Sequence, residues 1–270
     1  MTTMARPETA SRISAPLPGA PEQGSFDTST SVLKALRLLD AFGTASQQVG
    51  VSELARQAGI HKSTAFRLLT TLAQGGFIDR VGSKYRLSWR VFELGNRVEH
   101  CAPQGLRDLA LPYLSELFTV SGRTVHLAVL NGPDVVYLEK IHSHKSTRLP
   151  TAIGGRMPAT CSALGKAILA FSDKTVVDPV LAIPLPRFTQ YSITQTSRLI
   201  AQLHKVQQEG VAYDREEVAL GLTCVAAPVI RHGRAVAAIS VSSPTNGFNA
   251  AATAEMVRHA SKGISRALVP

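Results

Sequence analysis

The first third of the chain repeats apolar and polar positions with the period of amphipathic helices. The segment Ser31 to Phe42 has apolar residues at spacings of three and four, which predicts a helix. Its expected buried stripe comprises Val32, Leu33, Leu36 and Leu39. The segment Val51 to Gly59 predicts a second helix of two turns, because Ser52 can cap its first amides and Gly59 can end it in the left-handed conformation.

A third helix is predicted after only a few residues, from about Lys62 to Gln74. Its expected inner face is apolar and consists of Ala65, Leu68, Leu69 and Leu72. Its expected outer face is polar apart from one ring and consists of Ser63, Thr64, Phe66, Arg67, Thr70 and Thr71, with His61 and Lys62 at the entry. A short helix, a turn with glycine and a helix with such a face are typical of a helix-turn-helix, whose second helix enters the major groove. There Arg67 would read guanine or grip a phosphate, and Ser63 and Thr64 would do either.

The next segment alternates apolar and polar residues around a Gly82-Ser83 turn, which predicts a small β-hairpin. Its strands would be Phe77 to Val81 and Lys84 to Leu87. Three helices followed by a basic hairpin form a winged helix. The wing would set three cations against phosphates or the minor groove, namely Arg80, Lys84 and Arg86. The ordinary alternative is that two amphipathic helices joined by a glycine give the same pattern and that the cations only solvate an outer face.

Charge is distributed unevenly along the 270 residues, whose formal net charge is +10. Residues 28–90 contain nine basic and three acidic side chains, whereas residues 101–270 contain 17 basic and 11 acidic ones. The first segment is therefore denser in positive charge, which favours a polyanionic partner such as nucleic acid. The segment Ala235 to Val241, which is apolar apart from Ser240, is too short to cross a bilayer, so we expect no membrane partner.

These patterns divide the chain into four parts. Residues 1–27 contain several prolines and no helical period, so we expect a disordered leader. Residues 28–87 form the expected winged helix-turn-helix domain, and residues 88–103 form the expected linker helix, which Pro103 closes. Residues 104–270 form the expected second domain.

The second domain mixes helices with antiparallel strands, which predicts the α+β class. Hairpins are predicted over Thr124 to Ile141, around an Asn-Gly-Pro-Asp turn, and over Leu222 to Ser243, around a His-Gly turn. Helices are predicted at about Leu106–Val120, Ala163–Phe171, Ser197–Glu209 and Ala251–Leu268. We expect a cupped sheet that is covered by helices.

The segment Ala159 to Ala167 leads with small residues into a helix start. The first amides of that helix would be free to bind a carboxylate in a preceding cavity; they belong to Ser162, Ala163 and Leu164. A P-loop for nucleotides is excluded there, because that motif needs glycine at Thr160 and serine or threonine at Ala167.

Two further groups of residues are candidates for the walls of this cavity. One is acidic and comprises Asp214, Glu216 and Glu217. The other lies on the second hairpin and comprises Cys224, Ser240 and Ser242, whose two serines point to one face of their strand. The ordinary alternatives are a solvated acidic loop, a buried cysteine and hydroxyls that bond the backbone.

Catalytic and metal motifs are not evident. Cys224 lacks histidine and acidic partners at a diagnostic spacing, and the histidines form no recognised metal motif. Zinc held by Cys161, Cys224 and a nearby histidine stays open as an alternative. Three widely spaced cysteines without a CxxC pair fit a reducing compartment, so we expect a cytoplasmic protein without a cofactor.

Several of these motifs together resemble the IclR family of transcriptional regulators, from about Ser31 to the C-terminus. The resemblance rests on the segments Val51–Leu72, Ala163–Ala167, Gly210–Glu217, Gly221–Val229 and Ala238–Ser242. It implies a winged helix-turn-helix, a linker helix and a GAF-like effector-binding domain, in homodimers that can pair into dimers of dimers. It also implies small organic acids as effectors, aromatic ones included. By position, the effector site would comprise the main-chain amides of Ala163 and Leu164 together with Asp214, Cys224, Ser240 and Ser242.

We therefore expect a DNA-binding transcriptional regulator and not an enzyme. A two-fold dimer would bind a palindromic operator in double-stranded DNA, with its affinity controlled by a small organic acid. The candidate DNA-binding residues are His61, Lys62, Ser63, Thr64, Phe66, Arg67, Arg80, Lys84 and Arg86. The alternative from another class is an enzyme with a fused DNA-binding domain that uses Asp214 or Cys224; a structural nucleoid binder without an effector is a third.

Overall fold

The computed structural model describes residues 30–44, 48–102, 104–142, 149 and 151–268. The predicted leader, residues 1–27, lies outside the described residues. The chain divides into two compact units, with the boundary between Glu99 and His100. This boundary falls within the predicted linker, whose helical part is shorter than expected: a helix over Trp89–Gly95 and a single 3-10 turn over Glu99–Cys101.

The described part of the N-terminal unit has four α-helices and a three-stranded antiparallel sheet. The helices are α1 (Ser31–Asp40), α2 (Val51–Ala58), α3 (Lys62–Gln74) and α4 (Trp89–Gly95). The strands are β1 (Val49–Gly50), β2 (Ile78–Val81) and β3 (Lys84–Leu87), in the order β1-β3-β2. The predicted helices and hairpin are confirmed, and so is the inner face of α3, where Ala65, Leu68 and Leu69 are buried and Leu72 is half-buried.

The first helix buries a different face from the predicted one. Leu38 is fully buried, whereas Val32 and Leu36 are 70% and 52% exposed. The predicted stripe was wrong at these two positions because apolar residues occupy more than one face of α1, and packing against α2 and α3 selects the face of Leu38. The N-cap of helix α2 is Gly50, two residues before the expected cap, so Ser52 does not cap it.

The C-terminal unit is built around a six-stranded antiparallel sheet in the order β6-β5-β4-β9-β8-β7. The strands are β4 (Thr124–Asn131), β5 (Asp134–Ile141), β6 (Arg156–Pro158), β7 (Ala212–Arg215), β8 (Leu222–Arg231) and β9 (Arg234–Pro244). The helices are α5 (Leu106–Ser121), α6 (Ala163–Ala170), α7 (Lys174–Leu181), α8 (Thr196–Glu209) and α9 (Ala250–Ala267). The α+β class is therefore confirmed; α7, which contains Pro179, was not predicted.

The two faces of this sheet carry side chains of different size, because successive residues of a strand point to opposite faces. The face that packs against α5 and α9 carries large aliphatic residues such as Val125, Leu127 and Ile239. The other face carries alanines at the core beneath α6 and α8, at Ala128, Ala226 and Ala238.

Helix α6 is held unusually close to the segment that precedes it. A Cβ atom at Gly165 would lie 2.1 Å from the carbonyl oxygen of Ala159, so only glycine fits there. All eight residues of the helix are buried, including Lys166. None of the helices in the described part of the chain is long and apolar enough to span a membrane.

Candidate functional site

The start of α3 is an exposed, basic helix terminus. Gly59 ends α2 in the left-handed conformation, with φ of 65°, and the amide of Ile60 bonds back to the carbonyl of Ala55 at 3.0 Å. The first hydrogen bond of α3 joins the Ala65 amide to the His61 carbonyl at 2.9 Å. The amides before Ala65 therefore have no acceptor within the helix, and such amides bind phosphate readily.

The side chains predicted to contact DNA lie around this terminus. His61, Lys62, Ser63, Phe66 and Arg67 are exposed, and Thr64 is half-buried. Phe66 exposes 48% of its surface although it is apolar. The hydroxyls of Thr70 and Thr71 donate to carbonyls of their own helix at 3.0 and 3.2 Å, so they are already paired. The residues of the first turn are therefore better placed to contact DNA than these two threonines.

The hairpin after α3 carries the three predicted wing cations, and all three are exposed. Arg86 forms an ion pair with Asp79 at 3.1 Å, and the Arg80 Nε donates to the Gly82 carbonyl at 3.1 Å. For Lys84 no such contact is recorded among the described residues. The wing therefore offers one ammonium that is not already engaged within the hairpin.

The six predicted effector residues come together in one cavity of the C-terminal unit. Ala163, Leu164, Asp214, Cys224, Ser240 and Ser242 all line it. Eight further residues complete the lining: His126, Tyr137, Leu149, Thr151, Met157, Ser162, Val218 and Leu222. The cavity volume is only about 30 Å³, which is enough for a water molecule but far below the volume of a typical ligand pocket.

One wall of the cavity is the N-terminus of α6. The Ser162 hydroxyl accepts a hydrogen bond from the Gly165 amide at 3.0 Å, and the Ser162 carbonyl accepts from the Lys166 amide at 3.0 Å. The amides of Ala163 and Leu164 have no acceptor within the helix, because they belong to its first turn. Together with the helix dipole they make this wall attractive to an anion.

The opposite wall is a row of polar groups on the sheet. The register places Asp214 beside Cys224, Cys224 beside Ser242, and Ser240 beside His126. The Cys224 Sγ lies 3.0 Å from the Ser242 Oγ. Burial raises the pKa of the Cys224 thiol, so the thiol stays protonated at neutral pH.

Asp214 is the one carboxyl group among the residues of the lining. Burial raises its pKa to about 7, against the hydrogen bond that its Oδ1 accepts from the Glu217 amide at 2.8 Å. At neutral pH a buried Asp214 is therefore divided between its charged and its neutral form. A protonated carboxyl group can donate a hydrogen bond to an anion, whereas a carboxylate repels it.

A buried ion pair lies behind this wall. The Lys166 Nζ lies 2.5 Å from the Glu217 Oε1 and 3.1 Å from the Gln202 Oε1, and the lysine is fully buried. The reading of Glu217 as part of a solvated acidic loop is therefore wrong, since Glu217 is only 4% exposed. The Gly-Lys pair that resembled a P-loop serves packing at Gly165 and this ion pair at Lys166.

The sequence did not reveal any of the lining on β4 and β5 or in the segment that follows β5. The histidines were considered only as metal ligands, yet His126 lies between the apolar residues Val125 and Leu127 of β4, directly across from Ser240. The signal that could have found it is the isolated histidine within the apolar run of this strand. In the described part of the chain no three histidine, cysteine or acidic residues converge to hold a metal, and the three cysteines are free.

Two family models match the chain, and together they span most of it. One, the IclR helix-turn-helix domain, matches residues 31–82. The other, described as bacterial transcriptional regulator IclR C-terminal, matches residues 99–266. The chain is also 35% identical over 228 residues to the HTH-type transcriptional regulator KdgR of Escherichia coli, covering 83% of this chain and 85% of KdgR. It is 33% identical over 220 residues to the transcriptional repressor IclR of the same organism, covering 79% and 80% of the two chains.

Solved structures give the same result for the fold. An IclR homologue from Microbacterium hydrocarbonoxydans, in complex with 4-hydroxybenzoate, is similar with a TM-score of 0.80 and 27% identity, over 88% of this chain and 99% of the other. The IclR structure from Thermotoga maritima is similar with a TM-score of 0.74 and 28% identity, over 88% and 98%.

Proposed function

Because the chain belongs to the IclR family, and is thus a DNA-binding transcriptional regulator with a C-terminal ligand-binding domain, we propose that a small organic acid in the cavity controls its affinity for DNA. The observation that carries this proposal is the meeting of six family-matched residues around two free amides of α6. A carboxylate fits that position better than a cation does. The bound 4-hydroxybenzoate named for the Microbacterium homologue supports an acid, and an aromatic one in particular.

The small cavity volume defines how the acid would act. Ligand pockets usually enclose about 300–1,000 Å³, so a cavity of about 30 Å³ has to open before it takes an acid of metabolite size. An acid that binds only the open arrangement shifts the population toward it. Couplings of about 1–3 kcal/mol, which change the affinity for DNA by about 5- to 150-fold, are usual for such a shift.

On the DNA side, the first turn of α3 would enter the major groove with Arg67 as its base-reading or phosphate-binding cation. Lys62, Ser63 and Phe66 would flank Arg67 there, and the wing would add phosphate contacts. A two-fold dimer would present two such helices to a palindromic operator. An exposed apolar surface supports association of two copies, since Trp89 and Phe92 of α4 are 76% and 62% exposed.

We favour binding without turnover. The matched relatives are regulators, and the Cys224 thiol, whose pKa is raised, is a poor nucleophile. Among the described residues of the lining Asp214 is the one carboxyl group, and no hydrogen bond joins it to His126. A small organic acid that binds the wild-type protein should raise its melting temperature. After incubation with the protein, that acid should be recovered chemically unchanged.

The test of the DNA-binding role compares Arg67→Ala with the matched control Arg198→Ala, whose arginine is exposed on α8. The operator is first selected from random duplexes by the wild-type protein, and affinity is measured by fluorescence anisotropy with and without added acids. We expect Arg67→Ala to lose about 5- to 150-fold in affinity for the operator, because a bidentate contact to guanine contributes about 1–3 kcal/mol. Both variants should melt like the wild type.

Two results would overturn the proposal. Operator affinity that is equal in Arg67→Ala and Arg198→Ala would show that α3 does not read the DNA. If the operator affinity of the wild type is the same with and without every acid that the protein binds, the cavity does not control DNA binding.

A further inference from the structure

A buried histidine borders the cavity with one ring nitrogen unused. His126 of β4 is 2% exposed, and its Nε2 lies 2.9 Å from the Thr151 Oγ1. The His126 Nδ1 is buried and has no hydrogen-bond partner among the described residues. Buried polar atoms are nearly always paired, so an orphan at a cavity wall points to a ligand atom that completes it.

The charge state of this histidine limits what the ligand atom can be. Burial above all, together with electrostatic contributions from Lys140 and His142, lowers the pKa of His126 to about 3, so the ring is neutral. A neutral imidazole has one donor nitrogen and one acceptor nitrogen. The Thr151 hydroxyl can either donate or accept, so Nδ1 is the acceptor in one tautomer and the donor in the other. A hydroxyl group satisfies Nδ1 in both cases.

The position of His126 places it on the same wall as the serines. Its register partner on β9 is Ser240, and the next pair on that face joins Thr124 to Ser242. The Tyr137 ring lies 5.2 Å from the imidazole between centroids, at an angle of 54°, which fixes the ring on its other side. The free amides of Ala163 and Leu164 border the same cavity.

We propose that His126 binds the effector through Nδ1, and that the effector is therefore a hydroxy acid. This rests on the proposed function, in which the cavity takes a carboxylate at the N-terminus of α6, and adds a second contact that selects among acids. The hydroxyl of the ligand bonds His126, and the carboxylate bonds the amides of α6. An acid without the hydroxyl leaves Nδ1 unpaired and binds more weakly.

The experiment uses matched pairs of acids that differ by one hydroxyl: lactate and propionate, 3-hydroxybutyrate and butyrate, 3-hydroxybenzoate and benzoate. Each acid is titrated calorimetrically into the full-length wild type and into His126→Leu, His126→Asn and His126→Gln. We expect the wild type to prefer the hydroxy acid of at least one pair by about tenfold. In His126→Leu the preference should fall below about twofold, because the leucine fills the space without a polar atom.

The two amide variants separate binding from packing. The side-chain amide of asparagine reaches the position of Nδ1, whereas that of glutamine reaches the position of Nε2, so only His126→Asn should keep part of the preference. His204→Leu is the matched control, because its histidine is exposed on α8; it should bind every acid like the wild type. If His126→Leu does not fold, as judged by its melting curve, the difference between the asparagine and glutamine variants decides.

The outcomes distinguish this proposal from the function on which it rests. A wild type that binds both members of every pair equally, or a His126→Leu variant that keeps the preference, overturns the role of His126 alone. A wild type that binds none of the acids overturns both the hydroxy-acid effector and the acid-binding function.

Discussion

The two units differ in where they hold their candidate functional groups. In the N-terminal unit Lys62, Arg67 and Lys84 are exposed to solvent, whereas in the C-terminal unit Asp214 and Lys166 are 2% and 0% exposed. An exposed cation keeps its hydration, so its presence hardly affects the free energy of unfolding. A buried charged group loses hydration and depends on partners in the fold.

The difference teaches how substitutions should act in each unit. In the N-terminal unit a change should weaken DNA binding and leave stability alone. In the C-terminal unit the same kind of change should alter stability first, because the polar wall of the cavity and the ion pair behind it are part of the core. The three predictions that follow test this division.

The largest effect is expected for Lys166→Met. The methionine fills a similar volume but leaves the Glu217 carboxylate buried without its cation, and breaking such a pair usually destabilises by about 3–5 kcal/mol. Urea denaturation of the full chain, followed by circular dichroism, measures the loss. The matched control is Lys205→Met, whose lysine forms an exposed ion pair with Glu209 at 3.6 Å and should change stability by less than about 0.5 kcal/mol.

The double variant Lys166→Met with Glu217→Leu sharpens this prediction. Removal of both charges should recover much of the loss, since no uncompensated charge then stays in the core. Equal losses in Lys166→Met and Lys205→Met would contradict the view that buried and exposed ion pairs differ in this way.

The next effect is the pH dependence of stability that Asp214 creates. Its pKa rises from 3.8 to about 7 on folding, so between these values the unfolded chain releases a proton that the folded chain retains. The stabilising contribution of Asp214 is complete below pH 4 and is lost as the pH rises through 7, by up to about 4 kcal/mol. In Asp214→Asn this loss should be absent, so the stability of the variant relative to the wild type should increase as the pH rises.

Melting temperatures at pH 4, 6 and 8 measure the difference between Asp214→Asn and the wild type. Asp178→Asn is the matched control, because Asp178 is exposed on α7 and should show no such trend. A constant difference between Asp214→Asn and the wild type across this range would show that Asp214 ionises as readily in the fold as in water.

The exposed sites were the easier ones to predict from the sequence. The spacing of Ala65, Leu68 and Leu69 fixes the inner face of α3, and the outer face with Arg67 follows from it. The buried face of α1 could not be predicted in this way, because Val32 and Leu38 lie on different apolar faces of the helix. Only contact with the neighbouring helices α2 and α3 decides which of these faces is buried.

The buried site was predicted only where a local motif marks it. The start of α6 follows from small residues near Ser162, and the two serines of β9 follow from their spacing. The partners of Lys166 and His126 could not be found locally, since Glu217 is 51 residues from Lys166 and Ser240 pairs with His126 only through the register of β4 with β9. The cavity volume depends on all of these contacts together.

The smallest effect is expected for Lys84→Ala in the wing. Its ammonium is exposed and would neutralise one phosphate, so the variant should bind all DNA sequences slightly more weakly and reduce the slope of log affinity against log salt by about 1. Stability should stay within about 0.5 kcal/mol of the wild type.

Arg86→Ala is an informative comparison, because Arg86 already pairs with Asp79 at 3.1 Å and its loss should change the salt slope less. Anisotropy titrations at several salt concentrations, on the operator and on unrelated DNA, give both slopes; an unchanged slope in Lys84→Ala would remove Lys84 from the DNA-binding surface.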